Sequence, residues 1–434
     1  MKKLLLIAYS FPPVGASRSR RALFLTKYLK EEWKVFVLTP KRPRVPDYDE
    51  TLMRLVPPTV TVIRTSSWEP SRFPMKRVSG SFKGKKRGGS WLRRIGFWIF
   101  CPDSRIGWIP FALWRGWKII SKEQIDAIMV IGEPFSSFLI GVFLKRLTHK
   151  PLVLDFRDEW VPLNRYRTPD KPSLILRIEE KLEAFVIRQA DRITSVTPEI
   201  IGHFKKRYPA FTEKFFWISN GFDSSEYPAK ERVSAANGKW TITYAGSLYA
   251  NRSPQYFFEA LEALVKELPS LQERLRFIFL GSAEPSVEPF FQRPLIRRVT
   301  ERLGFMPYSR TLEILCKSHL LLAIGEKDAA IAPRYVPGKL FEYLGAGRYI
   351  LALGEEGCVK DILEATKTGC VVPANDVEKI KETLKELFHA YTRNALDVQP
   401  EPEAIAFYRW NNVVRSLASL LNNLEQDSSK GIPR

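Results

Sequence analysis

The sequence predicts an α/β protein of two doubly wound, Rossmann-like domains in tandem, and three observations carry that expectation. Short apolar runs that end in Gly, Asp or a loop recur along the chain, with helical periodicity filling the gaps. The runs are continuous rather than alternating, as expected of strands buried on both faces of a parallel sheet. They fall into two series, separated by the polar segment 224–239, which Pro228 and Gly238 punctuate and which reads as an interdomain linker. A length of 434 residues suits two or three domains of ordinary size.

The first series opens at Leu4-Leu5-Leu6-Ile7-Ala8-Tyr9, behind Lys2 and Lys3. This start mimics a signal peptide, but its apolar core is short, and Phe11-Pro12-Pro13-Val14-Gly15 stands where a small-residue cleavage site would be. It reads instead as a buried strand opening into a loop. An amphipathic stretch over 19–30 and a second apolar run at 33–38 complete a βαβ unit. Further strands are expected at 127–132, 151–155, 192–196 and 216–218, with helices at 135–147 and 173–190, giving about six parallel strands. The second series has strands at 240–246, 276–281, 320–324, 349–353 and 370–372, and helices at 254–267, 309–317, 338–345 and 376–391. The expected domains are therefore 1–222 and 223–402, followed by an amphipathic helical stretch within 403–434 that packs back toward the first domain. Two such domains facing one another would bring the carboxyl ends of both sheets to a central cleft. No apolar run reaches the ~18–20 residues a membrane span needs.

Composition narrows the function classes. With 45% hydrophobic and 26% charged residues the chain is neither disordered nor collagenous. Its four cysteines form no CxxC pair, which excludes a zinc knuckle and fits a reduced, cytoplasmic compartment. The net charge of +21 is confined to the first half: residues 1–220 hold 41 basic and 20 acidic residues, and the remainder is neutral. Residues 39–107 interrupt the strand order with many prolines and a block, 72–94, of nine Lys or Arg and no acid. Lys83, Lys85, Lys86, Arg87, Arg93 and Arg94 belong to it, with Trp91 and Trp98 among the aromatic residues nearby. Such a stretch suits an anionic membrane surface or another polyanion, or else a merely solvated face.

The chemistry is expected at strand ends. The loop before the first helix carries Gly15 and Arg18; its one glycine is not a dinucleotide fingerprint, and a plain turn is the competing reading. Asp155, Arg157, Asp158 and Glu159 cluster after another strand, where they could bind an acceptor, act as a general base, or order a loop by ion pairing. In the second domain Gly246-Ser247 and Gly281 end strands, and Arg252 lies in position to meet a diphosphate. The segment Tyr335–Gly347 is the most informative. Pro337 suits a helix start whose first amides, from Gly338 through Lys339 to Leu340, offer N–H groups to an anion. Lys339 adds charge, and Glu342 could accept hydrogen bonds from vicinal hydroxyls; an i,i+3 surface pair is the alternative. None of the four histidines lies at such a strand end.

These segments, taken in order, resemble the GT-B glycosyltransferases of the bacterial group called family 4. The resemblance rests on Phe11-Pro12-Pro13-Val14-Gly15, Cys101-Pro102-Asp103-Ser104-Arg105-Ile106-Gly107-Trp108, Leu154-Asp155-Phe156-Arg157-Asp158-Glu159-Trp160, Ile218-Ser219-Asn220-Gly221-Phe222-Asp223, Tyr244-Ala245-Gly246-Ser247 and Pro337-Gly338-Lys339-Leu340-Phe341-Glu342-Tyr343. It runs through nearly the whole chain and points to the branch active in exopolysaccharide and cell-surface glycan synthesis. The resemblance implies retaining transfer from a nucleotide-sugar co-substrate, UDP- or GDP-linked, with no other cofactor. No metal is implied. Glu342 would hold the ribose, Arg252 and Lys339 would neutralise the diphosphate, amides near Gly338 would support it, and the Gly15 loop would close over the sugar.

Two positions depart from the family pattern. Where many relatives carry a donor-sugar Glu, eight residues before Glu342, this chain has Arg334. Either the local register differs or the sugar is recognised otherwise, for instance as a uronate. The frequent first-domain histidine is also missing, and Asp158 lies near its place. The expectation is a transferase on the inner face of the plasma membrane, its acceptor a glycan or a polyprenyl-diphosphate-linked sugar. The alternative is a non-catalytic binder of polyanions or nucleic acid on the same scaffold, although no specific nucleic-acid motif is present.

Overall fold

Leu4, Leu5, Leu6 and Ile7 are all fully buried, and they form the centre of strand β1 (Lys2–Ala8). The structure, a computed structural model, describes all residues except 16, 44, 46, 70–95, 229–237, 328–330, 397 and 425–434. Among the described residues β1 belongs to a seven-stranded sheet of order β3-β2-β1-β4-β5-β6-β7, parallel throughout. Its other strands are β2 (Trp33–Pro40), β3 (Thr61–Thr65), β4 (Ala127–Ile131), β5 (Leu152–Arg157), β6 (Arg192–Ser195) and β7 (Phe215–Trp217). A second parallel sheet, of order β10-β9-β8-β11-β12-β13, contains β8 (Trp240–Ala245), β9 (Leu275–Leu280), β10 (Thr300–Gly304), β11 (Leu320–Ile324), β12 (Tyr349–Leu353) and β13 (Gly369–Val372).

The longer helices of the first sheet's unit are α1 (Ser17–Leu29), α2 (Ile109–Glu123), α3 (Ser136–Thr148), α4 (Trp160–Arg167), α5 (Ser173–Gln189) and α6 (Pro198–Arg207). Those flanking the second sheet are α7 (Gln255–Glu267), α8 (Tyr308–Cys316), α9 (Lys339–Ala346), α10 (Cys358–Thr366) and α11 (Val377–Thr392). A last helix, α12 (Trp410–Asn422), rejoins the first unit, with Trp410 stacked on Phe24 of α1 at 5.7 Å. The chain thus divides into one unit of residues 1–220 and 410–424 and a second of 221–409. Each is a Rossmann-like layer of helices about a parallel sheet, the two-domain plan of the GT-B fold.

In each unit the strand order reverses once, between β1 and β4 and between β8 and β11. The crevice outside the carboxyl ends of the strands at such a switch point is where open α/β sheets bind ligands. The loops leaving β1, β4, β8 and β11 therefore define where to look.

Two strands escape the periodicity reading, and both are sheet edges. β3 supplies a seventh strand where six were expected, and its side chains are mostly half-buried rather than apolar and enclosed. β10, the sequence Thr-Glu-Arg-Leu-Gly, is a sixth strand where five were expected. Charged edge strands discourage pairing with another chain and for that reason carry no apolar run. Helix α2 also went unread; its buried residues Ala112, Gly116, Ile119 and Ile120 recur at helical spacing. The C-terminal amphipathic stretch is broken at Tyr408 and Arg409, where Phe222 N–H donates to Tyr408 O at 2.9 Å.

The segment Cys101–Trp108 has a structural task. The half-buried Asp103 carboxylate accepts from Ser136 N and Oγ, both at 2.8 Å, and so caps α3. Arg105 pairs with Glu69 at 2.9 Å, Glu69 accepts from Tyr9 Oη at 2.6 Å, and Trp108 Nε1 donates to Thr65 Oγ1 at 2.8 Å. Together these bonds fasten the exit of β3 to the core.

Candidate functional site

At the second unit's switch point, six buried residues of β8 lead into Gly246. There φ is +130°, and at Gly281, which ends β9, it is +138°, a left-handed region that glycine favours. A Cβ on Gly281 would collide with the Gly246 carbonyl, so the glycine pair lets the two strand-end loops lie against each other. Gly246 N donates to Leu280 O at 2.7 Å, Leu248 N to Ser282 O at 2.9 Å, and Ser247 Oγ meets Ser282 Oγ at 3.0 Å.

Helix α9 is fixed over this floor by Tyr343, whose hydroxyl donates to Leu322 O at 3.1 Å and accepts from Ala245 N at 2.9 Å. Pro337 and Val336 are buried ahead of its first turn. Of the amides expected to be open there, that of Leu340 is already spent on Pro337 O at 2.9 Å, and Leu340 itself is fully buried. That expectation is corrected to Gly338 and Lys339.

Lys339 is the most telling residue. It is 8% exposed, and among the described residues its buried ammonium has no hydrogen-bond partner. It lies over the Tyr244 ring, 3.4 Å from the centroid. Burial, reinforced by the Arg252 charge, lowers its pKa well below the ordinary lysine value, against the opposing pull of Glu326 and Glu342. Arg252 is likewise buried; its Nη2 meets Glu326 Oε1 at 2.5 Å, and its Nε is enclosed without a partner among the described residues. Tyr249 and Tyr335 flank the guanidinium, with ring centroids 5.2 and 5.8 Å away. Glu342, one turn beyond Lys339, is 8% exposed, so the pair is not an exposed surface contact. Tyr227 Oη donates to Glu342 O at 3.0 Å, and Gly345 leaves the space its ring occupies. Arg334 ends a short 3-10 turn, Ala332–Arg334, and is half-buried.

In the first unit the Gly15 loop is committed to the protein itself. Gly15 N donates to Asp47 O at 3.0 Å, Asp49 N donates to Pro13 O at 2.7 Å, and Ser19 Oγ caps Val14 O. Of the readings open for this loop, the geometry supports the structured turn, and the Gly15 amide is not available to a ligand. Asp155 is also committed: fully buried, it takes a bidentate ion pair from Arg21 at 2.6 and 3.0 Å and a hydrogen bond from Thr194 Oγ1 at 2.8 Å. Ion pairing that orders the fold, rather than ligand binding, is what this site supports for Asp155. Glu159 pairs with His203.

Arg18, Arg157 and Asp158 do come together, around a residue the sequence reading missed. Glu133, which follows β4, meets Arg167 at 2.6 Å and Arg18 at 3.6 Å. Burial alone would raise the Glu133 pKa, but Arg167, Arg18 and Arg157 outweigh it and hold the carboxyl below its ordinary value. Asp158 is pushed the other way, chiefly by burial and further by Glu133, against Arg157 and the other arginines. Two neighbouring carboxyls with opposite shifts can divide anion and proton-acceptor roles between them. Arg157 adopts φ +57° at the end of β5, held by Ser195 Oγ donating to its carbonyl at 2.6 Å.

The sequence model described as Glycosyltransferase Family 4 matches residues 19–226, and that of Glycosyl transferases group 1 matches 239–390. The chain is a family 4-like GT-B glycosyltransferase. Its fold is shared by a sucrose-phosphate synthase from Thermosynechococcus elongatus, at TM-score 0.66 and 14% identity over 98% of this chain and 100% of that one. Anabaena HepE in complex with UDP and glucose aligns at TM-score 0.65 and 13% identity over 98% and 100% of the two chains. A putative UDP-N-acetylglucosamine 2-epimerase from Listeria monocytogenes also aligns, at TM-score 0.58 and 13% identity over 98% of each chain. No curated protein matches the sequence.

The family matches favour a glycosyltransferase over a non-catalytic polyanion binder. Within the glycosyltransferase, Glu326 and Glu133 had a readable signal: each follows a glycine directly behind an apolar run, the same strand-end pattern that singled out Gly246. Tyr249 and Arg167 had none, because a loop and a helix end bring them in, while Tyr335 opens the segment singled out around α9 but was given no role. Lys83, Lys85, Lys86, Arg87, Trp91, Arg93 and Arg94 lie outside the described residues. Trp98 is exposed. Among the described residues no group of three or more His, Cys, Asp or Glu side chains is arranged to hold a metal ion, and no helix is long and apolar enough to cross a membrane.

Proposed function

We propose that this glycosyltransferase moves a sugar, with retention of configuration and without a metal, from a UDP- or GDP-linked donor to a lipid-linked glycan in cell-surface polysaccharide synthesis. The observation that carries the reading is the buried Lys339 ammonium, without a hydrogen-bond partner among the described residues, beside Arg252. A buried cation is costly until an anion joins it, and the donor's diphosphate is the anion that fits. As the glycosidic bond breaks, negative charge grows on that leaving group, and two cations already in place stabilise it without reorganising. Glu342 accepts hydrogen bonds from the ribose hydroxyls. HepE, solved with UDP and glucose, supports a uridine nucleotide.

The acceptor half rests on the Glu133 cluster. Arg18 and Arg157 face an anionic acceptor group, while Asp158, whose raised pKa reflects a weaker acid, takes the hydroxyl proton. The basic first half of the chain supports peripheral association with the inner face of the plasma membrane.

Calorimetry with UDP, GDP and ADP tests the donor site. UDP should bind, and Glu342→Ala should weaken it about 10–100-fold, the worth of one or two hydrogen bonds to a charged group. A panel of neutral and uronic-acid donors belongs in the same experiment: Arg334→Ala should lose only the acidic sugars. Failure of every nucleotide to bind, with Glu342→Ala silent, would remove the reading.

Affinity should also depend on pH. Bound diphosphate needs Lys339 protonated, so affinity is full below its depressed pKa and falls as pH rises through it. Titrations of UDP binding between neutral and alkaline pH should show this slope in wild type and lose it in Lys339→Met. An identical slope in both would assign the titration to another group.

A further inference from the structure

Helix α2 presents a face that the protein's interior does not explain. Its buried side, Ala112, Gly116, Ile119 and Ile120, packs toward α3, where a Cβ on Gly116 would sit 2.8 Å from Leu144 Cδ1. On the other side Phe111, Trp114 and Trp117 are 39%, 58% and 47% exposed. Arg115, Lys118 and Lys122 are exposed too, and no exposed residue of the helix is acidic. At 100° per residue these six fall within one arc of about 160°, with Trp117 and Trp114 on one flank, Lys122 and Arg115 on the other, and Lys118 and Phe111 between them. Lys118 Nζ lies over the Trp114 ring, 3.9 Å from the centroid. Trp68, 64% exposed, extends the patch past the helix start, since its N–H donates to Gly107 O at 3.2 Å.

We infer that α2 and Trp68 form the docking face of this glycosyltransferase for an anionic lipid bilayer, lying in the headgroup plane. Indole rings prefer that depth because an apolar body and an N–H suit the boundary between acyl chains and water. The cations on the same arc complement anionic headgroups, and the whole first half of the chain carries the same sign. A contiguous exposed aromatic patch is otherwise a liability in water. The inference rests on the membrane-linked acceptor reading and gives it an address. That address is helix α2, where the sequence alone pointed to the basic, aromatic-flanked stretch 72–100.

Sedimentation of the full chain with vesicles tests it, using phosphatidylcholine alone or mixed with phosphatidylglycerol. Wild type should bind only the mixed vesicles. Trp114→Ala/Trp117→Ala should weaken binding about tenfold or more. Arg115→Gln/Lys118→Gln/Lys122→Gln should weaken it about fivefold per cation removed. Both variants change exposed residues and should keep wild-type thermal unfolding and UDP affinity. Wild-type vesicle binding by both variants overturns the docking face, and leaves the transferase reading standing if UDP still binds. Binding lost instead on neutralising Lys83, Lys85, Lys86, Arg87, Arg93 and Arg94 overturns it as well. So does a wild type that binds no vesicle, or an α2 variant that merely converts a dimer to a monomer.

Discussion

Lys339→Met should leave the protein more stable and almost inactive. Methionine fills a similar volume without the cost of burying an ammonium that has no hydrogen-bond partner among the described residues. Loss of the charge that meets the diphosphate should reduce kcat/KM on the order of 10²–10³-fold. The gain in stability should itself depend on pH. Because the folded-state pKa of Lys339 is depressed, the unfolded chain binds more protons than the native one between the depressed and the ordinary lysine value. Wild-type stability therefore rises with pH across that window, and its deficit relative to Lys339→Met narrows. Thermal unfolding of both proteins at neutral and alkaline pH, beside steady-state kinetics, checks the three claims together. A variant less stable than wild type would mean that the ammonium has a structural partner, and the donor reading would lose its main support.

The largest effect on stability is expected at Arg21. This guanidinium is 1% exposed and, besides its two bonds to Asp155, donates to Ile218 O, Ser219 O and Asn220 Oδ1 at 3.0, 2.8 and 3.0 Å. Arg21→Met strands the Asp155 carboxylate in a buried site and leaves three acceptors unfilled. Breaking one partner of a buried pair costs about 3–5 kcal/mol, a large share of the roughly 5–15 kcal/mol that holds a typical protein folded. Arg21→Lys should fail to rescue it, because an ammonium cannot reproduce the planar fork. The double variant Arg21→Met/Asp155→Leu should recover part of the loss by removing the orphaned charge. Urea unfolding followed by tryptophan fluorescence measures all three; a single variant within a few tenths of a kcal/mol of wild type would refute this account of Arg21.

What the sequence made legible follows from where its signals come from. Central strands such as β1 and β11 announce themselves because burial on both faces demands unbroken apolar runs. Edge strands β3 and β10 do not, since solvent on one side relaxes that demand. The same division runs through the sites. Lys339, Glu342, Gly246 and Gly281 were visible because strand ends and helix starts have local rules. Arg21 acts through partners 134 or more residues away in sequence, and a contact of that kind leaves no local pattern. Glu133 and Glu326 stand at strand ends that the same rules mark, but their pairing with Arg167 and Arg252 is not written locally. Asp155 shows the converse: at a strand end, ligand binding and structural ion pairing were both open for its carboxylate, and its distant partner Arg21 favours the second.

Helix α12 has a bearing on how the chain is made. Its buried residues, Trp410, Val413, Val414, Leu417 and Leu421, belong to the unit that begins at residue 1. Synthesis runs from the amino end, so the apolar surface of α1 that Trp410 covers is translated early and gains its cover last. The contiguous unit 221–409 has all its residues before the first unit has all of its own. The usual order, in which an amino-terminal domain can finish folding first, is therefore closed to this chain: its first unit stays incomplete until α12 has been made.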